Sequence, residues 1–130
     1  MTRQQLPCAS EAQEQEALFE WAERAAGRWP TLALMYHIPN EGKRSPRQGA
    51  AMVRQGLKSG FPDICLPVPM DDYHSLYIEL KAMNGRASKD QKRWIAALRE
   101  QGHAAEICHG WDAARELIEK YLKGAYGWTD

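Results

Sequence analysis

GFPDICLPVPMDDYHSLYIELKA, residues 60–82, holds two short apolar runs that each carry charge where a strand core would not want it. A polar turn at Asp71 and Asp72 separates them, which predicts an antiparallel hairpin with strands over about 63–68 and 76–82. Side chains alternate along a strand, so Glu79 and Lys81 share one face while Ile78, Leu80 and Ala82 take the other. With the turn centred on Asp71 and Asp72, Asp63 falls across from about Leu80 or Lys81, within a register shift of one or two positions. Two carboxylates and one ammonium therefore converge. Carboxylates a few ångströms apart repel one another unless a cation lies between them, and hard oxygen donors of this kind suit Mg²⁺ or Mn²⁺. The pattern predicts a divalent ion at Asp63 and Glu79, with Lys81 working beside it. Each piece alone has a plainer reading, since E-x-K also describes the solvated face of a strand and Pro-Asp also starts a turn. Their meeting across one hairpin, next to a basic loop, favours the site.

Outward from the hairpin, Ser10 is a good N-cap for a helix over 10–26, with glutamates in its first turns and Ala17, Leu18, Trp21, Ala22 and Ala25 at helical spacing. The run TLALMYHIP, 31–39, reads as a strand bounded by Pro30 and Pro39. The Gly-rich stretch 40–60 reads as a long loop with a helical turn around 50–55, and a loop of that length is usually functional or mobile. A helix follows over about 89–101, with Trp94, Ile95, Leu98 and Ala97 on its buried face and Gly102 at its end. HAAEICH, 103–109, gives a further strand, and 111–122 an amphipathic helix. The predicted fold is α/β, a mixed central sheet flanked by helices in the order α-β-β-β-α-β-α.

The chain of 130 residues fits one domain with a core over about 10–122, and 44% hydrophobic with 26% charged residues is ordinary for a packed globular protein. No apolar run approaches the roughly 18 residues of a membrane span, and the N-terminus lacks a signal-peptide core, so a cytoplasmic location is expected. Cys8, Cys65 and Cys108 form no C-x-x-C pair and read as reduced thiols, the last two in the core. His37, His74, His103 and His109 have no metal-ligand spacing. The zero net charge argues against non-specific coating of nucleic acid. Charge is unevenly spread, however: Lys43, Arg44, Arg47, Arg54 and Lys58 lie in a stretch without an acidic residue, while five glutamates precede Arg24 between positions 11 and 23. The basic stretch is either a solvated loop or a patch for phosphate contacts.

Pro62-Asp63 followed by Glu79-Leu80-Lys81 resembles the PD-(D/E)XK nuclease signature, and the element order resembles that superfamily's core. EAQEQ on the first helix, SGFPD, YIELKA and SKDQKRW, taken in order, resemble the VRR-NUC family, particularly short stand-alone members encoded by bacteriophages, as does IPNEGKR. The resemblance implies a metal-dependent endonuclease hydrolysing phosphodiester bonds in branched DNA such as Holliday junctions or flaps, and a homodimer. It implies that Asp63 and Glu79 bind the ion, that the Leu80 carbonyl adds a ligand, and that Lys81 orients or deprotonates the attacking water. A first-helix glutamate completes the site: Glu11, spaced from Gln15 as in the family, or else Glu14. Gln91 belongs to the family's active-site region, yet Ser88-x-x-Gln91 is also a capping box that would account for it. A silent DNA-binding or replication-accessory module of the same fold, or a nuclease directed at RNA, remains an alternative.

Overall fold

The computed structural model describes residues 8–39 and 45–127. Helix α1, Glu11–Ala25, starts at Ser10, whose hydroxyl accepts from the Gln13 N–H while the Gln13 side chain accepts from the Ser10 N–H. A 3₁₀ helix, Pro30–Leu34, leads into strand β1, Tyr36–His37. Helix α2, Pro46–Arg54, precedes strands β2, Ile64–Leu66, and β3, Leu76–Lys81. Helix α3, Lys89–Glu100, strand β4, Ala104–His109, and helix α4, Trp111–Leu122, complete the order. The four strands form one mixed sheet, β1-β2-β3-β4, in which β1, β2 and β3 pair antiparallel and β3 with β4 parallel. The α/β fold with helices flanking a mixed sheet is as expected.

The alternation on β3 builds two different faces. Leu76, Ile78 and Leu80 are buried among Leu18 and Ala22 of α1 and Ala114, Ile118 and Tyr121 of α4. This is the apolar core. Tyr77, Glu79 and Lys81 face the opposite side, where α3 lies, with its Gln91 hydrogen-bonded to Glu79. The parallel β3–β4 pair needs a crossover connection, and α3 supplies it. Tyr121 closes the core by donating its hydroxyl to the Val68 carbonyl (2.6 Å). Beyond α4, Tyr126 stacks edge-on against Tyr73 and donates to Glu106 (2.8 Å), so residues 124–127 pack on the domain.

Three predicted features differ. Residues 30–34 wind into a 3₁₀ turn rather than a strand: Pro30 presets the helical φ at the first position, and the turn buries Leu32. Only Tyr36 and His37 enter the sheet, and the Ile38 N–H adds one bond to the Asp63 carbonyl (2.8 Å) before Pro39, which has no N–H. The helical turn expected at 50–55 is instead the longer α2, started by Ser45 with a reciprocal Ser45–Gln48 capping box and Pro46 in its first turn. On α3, Ile95 is buried, Trp94 and Leu98 are half-buried, and Ala97 is exposed, because the helix covers only the margin of the sheet. Cys65 and Cys108 are buried as expected.

Candidate active site

Strand pairing assembles the site. Ile64 pairs with Ile78, which sets Asp63, the next residue outward, across from Glu79 on the same face. The Leu80 N–H donates to Asp63 Oδ1 (3.3 Å), so the carboxylate is held against the neighbouring strand. Gln91 Nε2 donates to Glu79 Oε1 (2.8 Å), and Lys81 Nζ lies 3.6 Å from the same oxygen. Lys81 Nζ also lies 3.9 Å from Glu11 Oε1, at the first residue of α1. Asp63, Glu79 and Lys81 are 8%, 4% and 8% exposed, a degree of burial that ionisable side chains seldom reach without partners.

The two first-helix glutamates go to different places. Glu11 points to Lys81, whereas Glu14 is buried and its Oε1 accepts from the Trp111 N–H (3.1 Å). Gly110, which starts α4, has no side chain to cap it, so Glu14 supplies the missing acceptor. Gln91 carries both of its expected roles at once. Its Oε1 accepts from the Ser88 N–H (2.7 Å) in the capping box, which leaves Nε2 for Glu79. His37 joins through β1, its Nδ1 3.2 Å from the Asp63 carbonyl, and no local motif around it announced this.

Burial dominates the electrostatics. It lifts the Asp63 carboxyl to about 6, against the opposing pull of the Leu80 N–H and of His37. Glu79 is pushed to about 8, first by burial and then by the charge on Asp63, with Lys81 only partly offsetting them. Two facing buried carboxylates, with one ammonium beside Glu79 alone, are under-neutralised.

Among the described residues, no three His, Cys, Asp or Glu side chains are gathered into a ready-made metal cluster. Asp63 is turned to the Leu80 N–H, and one Glu79 oxygen to Gln91 and Lys81. The donor set nevertheless fits a hard divalent cation. Glu11 Oε1 and Glu79 Oε2 are buried without a hydrogen bond, Lys81 Nζ standing 3.9 Å from the former, and buried acceptors in that state favour a further positive partner. Carboxylate oxygens are what Mg²⁺ and Mn²⁺ prefer.

Of the basic residues predicted to meet phosphate, Arg47 and Arg54 on α2 and Lys58 beyond it are exposed. Lys43 and Arg44 lie outside the described residues.

The VRR-NUC domain family model matches residues 9–112, a span that includes Glu11, Asp63, Glu79, Lys81 and Gln91. A solved structure described as a VRR_NUC domain protein superposes with a TM-score of 0.79 at 30% identity, covering 91% of this chain and 92% of the other. No curated protein sequence matches. The family model spans the hairpin, α1 and α3 together, and the solved structure repeats their arrangement over nearly the whole chain: this protein belongs to the VRR-NUC family of nuclease domains.

Proposed function

We propose that the chain is a metal-dependent endonuclease that hydrolyses phosphodiester bonds in branched DNA, with Mg²⁺ or Mn²⁺ as cofactor. The observation that carries this reading is the burial of Asp63, Glu79 and Lys81 on one sheet face, with Glu79 Oε2 and Glu11 Oε1 left without a hydrogen bond. Burying such charges is unfavourable, and a module that only bound DNA would gain nothing from it. That argues against the silent-module alternative.

In this reading Asp63, Glu79 and Glu11 hold the ion, together with the Leu80 carbonyl. When bound, the ion would neutralise phosphate charge, lower the pKa of water and steady the leaving oxygen. Lys81, lodged between Glu79 and Glu11, would orient or deprotonate the attacking water and stabilise charge on the phosphate. Gln91 fixes the Glu79 carboxylate from α3. Arg47, Arg54 and Lys58 would contact phosphates without reading sequence, as would Lys43 and Arg44. A single domain with its core at 10–122 suits the match over 9–112. We extend the proposal to a homodimer, as the resemblance to short phage-encoded members implies, since two sites related by a two-fold axis can cut both strands of a symmetric junction.

The test is cleavage of labelled four-way junctions, flaps, splayed arms, linear duplex and a matched RNA junction, with Mg²⁺, Mn²⁺ or EDTA. We expect metal-dependent nicking of a branched DNA, lost in folded Asp63→Ala and Lys81→Ala variants. Cleavage by the variants at the wild-type rate would sink the site assignment. Cutting of RNA alone would overturn the substrate.

A further inference from the structure

An apolar cleft of about 350 Å³ has walls that include Phe61, Pro62, Tyr77 and Trp94, with Lys58 also lining it. The three aromatic rings are half-buried, so each keeps part of its surface open to the cleft. Lys58 is exposed.

The walls of the cleft are near neighbours, along the chain, of the site already described. Pro62 is followed directly by Asp63. Tyr77 lies two residues before Glu79 on the same strand face, about 7 Å away. Trp94 lies one helical turn after Gln91, which donates to Glu79. The walls are also held in place. Trp94 Nε1 donates to the Ser59 carbonyl (2.9 Å), and the Ser59 hydroxyl donates to Asp90 (3.1 Å). Gly60 sits at φ +85 so close to α3 that a Cβ there would fall 2.6 Å from Asp90 Cβ. The cleft is preformed.

We propose that this cleft receives one unstacked nucleobase from the strand being cut. The inference rests on the DNA nuclease reading above and names what would make the site select branched DNA. A phosphate would gain nothing from such apolar walls, whereas a base offers a flat π-face that stacks on aromatic rings whatever its sequence. Lys58 supplies positive charge where the backbone carrying that base must pass. Tyr77 stands only two residues from Glu79 on the same strand face, which keeps the base close to the scissile phosphate. A base within a duplex must first leave its stack to enter, and this is least costly where pairing is already broken, as at a branch point. The cleft thus acts as a specificity element, and Trp94 and Tyr77 as positioning residues.

The test is a binding cycle on the branched substrate that wild type cuts best, with Ca²⁺ in place of Mg²⁺ so that affinity is read without turnover. A single abasic nucleotide is walked through the positions around the branch, and each substrate is titrated with wild type, Trp94→Leu and Tyr77→Leu, each checked for folding by circular dichroism. We expect one abasic position to weaken wild-type binding by roughly tenfold, in the range of a single base–aromatic stack. Trp94→Leu should weaken binding to intact DNA similarly, and the same abasic change should then have no further effect on that variant. If Trp94→Leu does not fold, Tyr77→Leu carries the same expectation. Tight binding and cleavage by wild type with no sensitive abasic position, or fully additive effects, would overturn the cleft proposal and leave the nuclease reading intact. A loss of affinity that is equal on every abasic substrate and accompanied by a change in sedimentation would assign the cleft to a protein contact instead. Absence of both DNA binding and cleavage would overturn the nuclease reading, and the cleft proposal with it.

Discussion

Glu11 and Glu14 stand three residues apart on one helix turn, yet their surroundings give them opposite work. Glu14 supplies the acceptor for the Trp111 N–H at the uncapped start of α4. Glu14→Ala should therefore lower stability by about 1–3 kcal/mol, the usual penalty for stranding a buried donor, as read by urea denaturation. Glu11 Oε1 has no hydrogen-bond partner and faces Lys81, so Glu11→Ala should leave the denaturation midpoint nearly unchanged while reducing cleavage by roughly 10- to 100-fold or more. The reverse pattern would exchange the two roles. Glu79 adds a pH dependence to the metal-free protein. Its carboxyl is raised to about 8 when folded, from an ordinary value of 4.5, so the native state holds a proton that the unfolded chain releases. That contribution to stability is fully present below about 4.5 and is lost as pH rises through about 8. In EDTA, wild type should melt at a lower temperature at pH 8.5 than at pH 5.5, and Glu79→Gln should flatten that difference. A melting temperature with the same pH slope in both proteins would contradict the assignment of the shift to Glu79.

At the scale of elements, the loop between α2 and β2 matters because it aims Asp63. Gly60 holds this loop against the start of α3 in a left-handed conformation, φ +85, that L side chains rarely adopt, with no room for a Cβ. Gly60→Ala should cost about 1–3 kcal/mol and also reduce cleavage, since Asp63 lies three residues on. Differential scanning calorimetry and a cleavage assay on the same sample would check both; unchanged stability would show that the loop can shift freely. Much at this scale was legible in the sequence. The hairpin at 63–82 follows from its period-2 alternation around Asp71 and Asp72, and α1, α3 and α4 from caps and helical spacing. The strand expected at 31–39 was legible only at Tyr36 and His37, because a short apolar run has the same pattern as a strand or as a buried turn, and packing of Leu32 decides which its first half becomes. The capping box Ser45-Pro46-x-Gln48 was a readable signal for α2, outweighed by the glycines around it.

For the whole molecule, a formally neutral chain with five of its 17 basic residues in one stretch free of acidic residues should bind DNA through a limited number of phosphates. Arg47 and Arg54 are exposed on α2, none of whose residues is buried. Replacing either with alanine should weaken binding about equally on all sequences and lower the slope of log K against log salt by roughly 0.9 for each phosphate no longer neutralised. A slope unchanged in the double variant, measured by fluorescence anisotropy, would remove α2 from the DNA surface. Among the described residues no helix is long and apolar enough to cross a membrane.

By itself the sequence determined the layers of the fold and the candidate site residues that share one sheet face. Both rest on local periodicity: alternation sends Glu79 and Lys81 to one face, helical spacing builds the core of α1 and α4, and Pro62-Asp63 at the strand mouth is a neighbour relation along the chain. Only the tertiary structure decided which glutamate faces Lys81, since Glu14 finds its partner 97 residues away at Trp111. It alone added to the capping role of Gln91 a carboxylate to hold, left Glu11 Oε1 and Glu79 Oε2 buried without a hydrogen bond, and joined residues from three segments into the aromatic cleft. Burial and long-range hydrogen bonding are properties of how elements pack, and no window of sequence contains both partners.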